Sequence, residues 1–125
     1  MNTVLITAGN IAVKAALYDN PTSAAIWATL PIEGRANRWG DEIYFDIPVE
    51  MALAKEATTE VETGDLGYWP PGHAFCIFWG PTPVSTSDKP RAYSPVNVFG
   101  RITGEAKVFS IIEGGQKIII EKAET

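Results

Sequence analysis

The sequence is poor in the residues that most often carry metal and redox chemistry, with one cysteine and one histidine in 125 residues. A single cysteine, Cys76, excludes an intrachain disulfide, and inside an apolar run a thiol packs as a small hydrophobic side chain. With His73 as the lone imidazole, a metal site would depend on carboxylates, and no Asp/Glu cluster has the spacing of a known metal loop. We therefore expect no metal site and no cofactor.

Basic residues are also few and scattered. Ten Lys and Arg stand against fifteen Asp and Glu, which gives a net charge of −5. Nucleic-acid binding needs a concentrated basic face, so nucleic acid is excluded as an expected partner. No apolar run approaches the roughly 20 residues of a membrane span, and residues 1–6 lack the basic region of a signal peptide. We expect a cytoplasmic protein of one domain, residues 1–125, without a membrane partner.

Glycine and proline are abundant in residues 64–83, where they bracket aromatic and apolar segments. A turn at Gly64-Asp65 precedes Tyr68-Trp69, and the residue before a proline is driven toward extended structure. The segment 74–79 is apolar at every position, which indicates a strand covered on both faces or a strand of a small barrel. This spacing of glycine and proline residues predicts a β-structure with aromatic side chains near its turns.

The remaining chain adds strands and two short helices. Asn20 and Pro21 form a helix-start pattern, so a helix is predicted from Pro21 to about Leu30. A second short helix is predicted over 104–112, with Val108, Ile111 and Ile112 on one stripe. Strands are predicted over 3–7, 11–18, 32–37, 42–47, 57–61, 66–69, 74–79, 96–102 and 117–122. Residues 80–95 are predicted to be an exposed, ordered loop.

Most of the aromatic residues lie between Trp39 and Trp79. The ordinary explanation is a hydrophobic core, because aromatic rings bury the largest area per residue. The functional alternative is a pocket bordered by the turn-flanking rings Trp39, Tyr44, Tyr68 and Trp69.

Charged side chains beside these aromatic residues are further candidates. Glu42 and Tyr44 lie two apart on one strand face, so they could point into a shared cavity, although a solvated face is the more ordinary explanation. Arg35, Arg38 and Arg101 could clamp a carboxylate or polarise a carbonyl. Their ordinary role would be a surface ion pair or a cation–π contact with tryptophan.

Several motifs together resemble the small prokaryotic cyclophilin-like proteins, single-domain chains of unknown function. The resemblance runs over nearly the whole chain and is carried by Trp39–Phe45, Gly64–Gly72, Phe78–Pro83, Ser94–Asn97 and Gly100–Arg101. It implies a mainly β fold, specifically a closed cyclophilin-like β-barrel of about eight strands with two short capping helices.

The resemblance does not carry a reaction with it. True cyclophilins are prolyl isomerases with a Phe-His-Arg strand motif and a Gln-Gly-Gly segment, and this sequence has neither, since Gly114-Gly115-Gln116 has the wrong order. No catalytic residue is therefore assigned, and whether the protein is an enzyme stays open.

The sequence is compatible with three functions. The first is a barrel that binds a small molecule or peptide at an aromatic rim. The second is a weak peptidyl-prolyl isomerase. The third is an interaction or assembly subunit, because related barrels are fused to or partnered with amide-hydrolysing enzymes, and exposed strand edges could support a homo-oligomer. The residues predicted to line the binding site are Arg35, Trp39, Glu42, Tyr44, Tyr68, Trp69, Phe78 and Arg101.

Overall fold

The computed structural model describes residues 2–123, in which ten β-strands form the framework. The strands are β1 (Asn2–Ala8), β2 (Ile11–Leu17), β3 (Ile32–Arg35), β4 (Asn37–Arg38), β5 (Glu42–Asp46), β6 (Thr58–Glu60), β7 (Asp65–Trp69), β8 (Ala74–Phe78), β9 (Arg91–Ile102) and β10 (Lys117–Lys122). Every pairing between them is antiparallel. The mainly β fold expected from the sequence is confirmed.

One α-helix, α1 (Pro21–Thr29), follows the first hairpin. It begins as its sequence predicts: the Asn20 side chain accepts a hydrogen bond from Ser23 N at 2.9 Å, and Pro21 occupies the first turn. No helix of residues 2–123 has the length and apolar character needed to cross a bilayer.

Two short 3-10 helices, Pro70–Gly72 and Ala106–Ile111, complete the helical structure. The predicted stripe of the second helix is wrong, because Ile111 is exposed and the buried side chains are Ala106, Phe109 and Ile112. A 3-10 helix has three residues per turn, so positions three apart share its buried face.

The strands form one large antiparallel sheet in the order β3-β10-β1-β2-β9-β7-β8-β5-β4, with β6 paired to β9. The predicted closed barrel of about eight strands needs correction: there are ten strands, and no ladder among residues 2–123 pairs β3 with β4. These two edge strands follow each other along the chain, with only Ala36 between them. Ala36 continues the pairing of β3 with the chain just before β10. Its N–H donates to Gln116 O, and its carbonyl accepts from Gly115 N.

Strand alternation in the β7-β8-β5 region separates two hydrophobic clusters. The larger core cluster contains Phe45 and Phe75, whose rings stack at 5.2 Å between centroids. A smaller cluster lies on the opposite face of the same strands. It contains Cys76 and Phe78, and Tyr44 packs against it. Because successive side chains of a strand point to opposite faces, one pair of strands can build both a core and an outer surface.

Candidate functional site

The turn between β4 and β5 places an aromatic ring beside a carboxyl. Trp39 N donates a hydrogen bond to Glu42 O at 2.9 Å across a two-residue turn. The first turn residue is Gly40, with φ of +61°, and a Cβ there would lie 2.9 Å from Pro83 Cδ. A side chain at position 40 would therefore disturb the placement of both Trp39 and Glu42.

A cavity of about 370 Å³ opens on the outer surface formed by β5, β8 and β9. We call it the aromatic pocket. This volume falls within the ~300–1,000 Å³ range of pockets for small organic ligands. Its lining residues are Trp39, Glu42, Tyr44, Trp69, Cys76, Ala92, Tyr93 and Val96.

Two neighbours hold the indole of Trp69 in place. Its Nε1–H donates to Ser94 Oγ at 2.6 Å. On the other side lies Gly72, where an added Cβ would come within 2.7 Å of Trp69 Cζ3. The 3-10 turn after β7 thus serves as a platform for the ring, which explains why a glycine follows Pro70 and Pro71.

Tyr93 stands between the two tryptophans because β9 is irregular at this point. The ladder pairs Thr58 with Val96 but Glu60 with Arg91, so residues 92–95 bulge out of register. The Tyr93 side chain is 71% exposed, and its ring lies 6.1 Å from Trp39 and 6.2 Å from Trp69. The interplanar angles are 76° and 86°, so the Tyr93 ring stands nearly perpendicular to each of the two tryptophans.

The polar group of the aromatic pocket is the carboxyl of Glu42, which is only 5% exposed. Burial raises its pKa from 4.5 to about 7, and the neighbouring Cys76 thiol, whose hydrogen bond to Ala74 O is 3.9 Å long, offsets part of that rise. No ion pair among residues 2–123 includes Glu42. Burial and the adjacent Glu42 also raise the pKa of Cys76 well above its ordinary value, so this thiol stays protonated.

The chemistry available to the pocket follows from this carboxyl. A group with a pKa of about 7 is populated in both protonation states at neutral pH, so Glu42 can donate or accept a proton. In its ionised form it can also pair with a ligand cation. No basic side chain lines the pocket in the described part of the chain, and no group of three or more metal-ligating side chains occurs there either.

The structure brings together four of the residues predicted for the site: Trp39, Glu42, Tyr44 and Trp69. Phe78 lies directly opposite Glu42 in the β5–β8 ladder but is fully buried in the smaller cluster, beneath the surface that the pocket occupies. It can support the pocket without forming its wall.

Tyr68 does not line the aromatic pocket, because its side chain lies on the face of β7 opposite to that of Trp69 and belongs to the core cluster. Its hydroxyl donates to Val49 O at 2.5 Å and accepts from Met51 N at 3.3 Å, which ties the segment after β5 to the sheet. The residue has a structural role that its sequence neighbour does not share.

None of the three arginine candidates lines the aromatic pocket. Arg35 donates to Gly115 O at 3.2 Å at the far edge of the sheet. Arg101 lies opposite Asp65 in the β7–β9 ladder and is exposed. Arg38 covers Trp79, with 4.9 Å from Cζ to the ring centroid, which is the cation–π role that was the ordinary expectation.

Sequence reasoning missed Tyr93 and gave Cys76 only a packing role. Cys76 pairs with Tyr44 in the β5–β8 ladder, so register alone would have placed it on the pocket side. Tyr93 was assigned to a loop, and its position depends on the bulge in β9, for which Pro95 is the one local signal.

The match to a family model covers residues 2–121, under the description "Cyclophilin-like". The chain belongs to the cyclophilin-like family. The family resemblance stated from the sequence motifs is thereby confirmed.

Solved structures agree with this assignment. The solution structure of the hypothetical protein AF2241 from Archaeoglobus fulgidus is 38% identical, covers 98% of this chain and 95% of its own, and superposes with a TM-score of 0.81. The structure of McbB in complex with tryptophan is 17% identical with a TM-score of 0.73 and covers 98% of this chain. This chain spans 46% of McbB, and at that identity the likeness shows the fold alone. No functionally curated protein matches the chain.

Proposed function

We propose that this cyclophilin-like protein binds a small organic molecule in the aromatic pocket. The observation that carries the proposal is the buried Glu42 carboxyl at a cavity whose other walls are mainly aromatic and apolar. Small-molecule sites characteristically combine apolar walls with a few placed polar groups and a perturbed pKa.

The pre-set geometry of the walls supports binding over simple packing. The Trp69 indole is fixed by Ser94 and Gly72, and the backbone of Trp39 is fixed by the Gly40 turn. Rings held in place before a ligand arrives lose little side-chain freedom on binding. McbB, a structural neighbour with the same fold, was determined in complex with tryptophan, which is a small organic molecule of the kind proposed here.

The four tryptophans of the chain provide a direct test by NMR. A set of aromatic and aliphatic compounds, charged and neutral, is titrated while the indole N–H resonances are followed. Ligands of the pocket should shift the signals of Trp39 and Trp69 and leave those of Trp27 and Trp79 unchanged. Trp27 packs in α1 beneath Lys122 and Trp79 packs against Phe109, so both report from outside the pocket.

The matched variants are Trp69→Ala in the pocket and Trp27→Ala outside it. Binding should be lost in the first and kept in the second. A full set of compounds that shifts neither pocket tryptophan, or binding that survives Trp69→Ala unchanged, would contradict the proposal.

The peptide ligand, the prolyl isomerase and the assembly subunit remain predictions. The pocket gives no specific support to the isomerase, because its described lining contains no arginine that could polarise a prolyl carbonyl.

A further inference from the structure

We infer that the ligand of the aromatic pocket is an organic cation, an ammonium group that enters the cage of Trp39, Trp69 and Tyr93 and pairs with Glu42. This inference rests on the proposed function and names the chemical class of its ligand. The Tyr93 ring, nearly perpendicular to both tryptophans, and one buried carboxyl provide the two attractions that an ammonium group uses.

The first attraction comes from the ring faces. A cation within about 6 Å of an aromatic face is stabilised by the ring quadrupole, most strongly by tryptophan. Tyr93 separates the two tryptophans at 6.1 and 6.2 Å, so a group that enters beside it meets more than one ring. Since a cavity of about 370 Å³ is larger than an ammonium head, the ligand should carry an additional apolar part.

The second attraction is the unmatched charge of Glu42. Glu42 is 5% exposed, and the one described side chain that favours its ionised form is the Cys76 thiol, a weak donor that also bonds to Ala74 O at 3.9 Å. Ionising it in the empty pocket leaves a buried charge without a counter-ion, which is unfavourable. A ligand cation would supply that counter-ion, whereas a neutral ligand would remove still more water from the carboxylate.

Other groups that face Glu42 do not provide the missing charge. Its own strand presents Tyr44, β8 presents Cys76, and the bulge of β9 presents Tyr93. Arg38, the nearest basic residue in sequence, pairs with Asp41 at 3.4 Å and donates to the carbonyls of Gly40, Ser110 and Ile112, and it does not line the pocket. Glu42 is the only formally charged side chain in the described lining.

The test compares phenyltrimethylammonium with tert-butylbenzene, which has the same shape with carbon in place of the charged nitrogen. Neither compound titrates, so any pH dependence belongs to the protein. Affinity is measured from the indole N–H shifts of Trp39 and Trp69 at several pH values. The cation should bind at least tenfold more tightly than its neutral isostere when Glu42 is ionised.

The pH profile has a defined direction. Because the cation needs the ionised carboxyl, its affinity should rise with pH and level off above a pH of about 7. Binding at a pH of about 5.5 should be about thirtyfold weaker than on the plateau, the factor set by the fraction of ionised Glu42. A neutral ligand that accepts a hydrogen bond from protonated Glu42 would show the opposite slope.

Glu42→Gln keeps the shape and removes the charge, so it should abolish both the preference for the cation and the pH dependence. Glu50→Gln removes an equal charge from a side chain that is 86% exposed and outside the pocket, and should change neither. Circular dichroism of each variant confirms that it is folded.

The outcomes separate the two proposals. Equal or tighter binding of tert-butylbenzene, or undiminished cation binding in Glu42→Gln, would overturn the cation inference and leave a small-molecule pocket standing. Failure of both compounds to shift Trp39 and Trp69 at any pH would overturn the cation inference, and failure of the wider compound set would overturn the proposed function as well.

Discussion

Two buried polar side chains, on the strands β7 and β5 that flank β8 in this sheet, show how a core differs from a site. The Tyr68 hydroxyl in the core cluster has partners on both sides, Val49 O and Met51 N. The Glu42 carboxyl in the aromatic pocket has no counter-ion among the described residues, and the neighbouring Cys76 thiol is a weak donor that also bonds to Ala74 O. Folding accounts for the first arrangement, whereas the second leaves an interaction for a ligand to complete.

The comparison extends to the aromatic rings around them. Phe45 and Phe75 in the core are fully buried and stacked on each other. Trp39 and Trp69 are partly exposed and oriented at right angles to Tyr93. Substitutions in the two regions should therefore separate stability from ligand binding.

The largest effect is expected for Phe45→Ala. Removing a fully buried ring should lower the free energy of unfolding by about 3–5 kcal/mol, because transfer and cavity costs add. Trp69→Ala should cost distinctly less stability yet abolish binding in the aromatic pocket. Urea unfolding of both variants checks this, and an equal loss of stability at the two positions would remove the distinction between core and site.

Glu42→Gln should change how stability depends on pH. The folded pKa of Glu42 is about 7 against an ordinary value of 4.5, so the folded state binds more protons than the unfolded state between these values. Wild-type stability should therefore fall as pH rises through this window, by about 3 kcal/mol in total from this group.

The variant lacks this titration, so it should be the more stable protein above pH 7 and the difference should vanish below about pH 4.5. Thermal or urea unfolding across the pH range, with Glu50→Gln as the exposed control, measures the difference. A stability gap that does not change with pH would show that Glu42 is not desolvated.

Tyr68→Phe should destabilise the protein by about 1–3 kcal/mol, since a buried carbonyl, Val49 O, and a partly buried N–H, that of Met51, lose their partner. Ligand binding should stay unchanged, because the hydroxyl lies on the core side of β7. Weaker binding in a variant that remains folded would place Tyr68 back in the site.

The smallest effect is expected for Ser94→Ala, which removes the acceptor of the Trp69 indole N–H. Stability should fall by about 1 kcal/mol or less, because the bond is only partly buried. The indole N–H of Trp69 should exchange faster with solvent while that of Trp27 does not. Unchanged exchange at Trp69 would mean that Gly72 alone fixes the ring.

Local patterns predicted much of the architecture. The Asn20-Pro21 start of α1 and the apolar strand 74–78 were readable because capping chemistry and composition are local properties. The joint position of Glu42 and Tyr44 was readable from alternation along one strand. The lack of a β3–β4 ladder depends on pairing across the whole chain, which no short pattern encodes.

The errors at the site have the same origin. Tyr68 and Trp69 share one sequence motif, yet strand alternation sends them to opposite faces. Arg35 and Arg101 were chosen by residue type, and their positions follow from ladders with β10 and β7. Tyr93 enters the pocket through a register shift, which becomes visible only when β6 is paired with β9.

The carboxyl of Glu42 can be observed directly by carbon-13 NMR during a pH titration. In the free protein its midpoint should lie near 7, and saturating phenyltrimethylammonium should lower that midpoint, because a paired cation favours the ionised form. A midpoint near 4.5 in the free protein would contradict the picture of a buried carboxyl that awaits a partner.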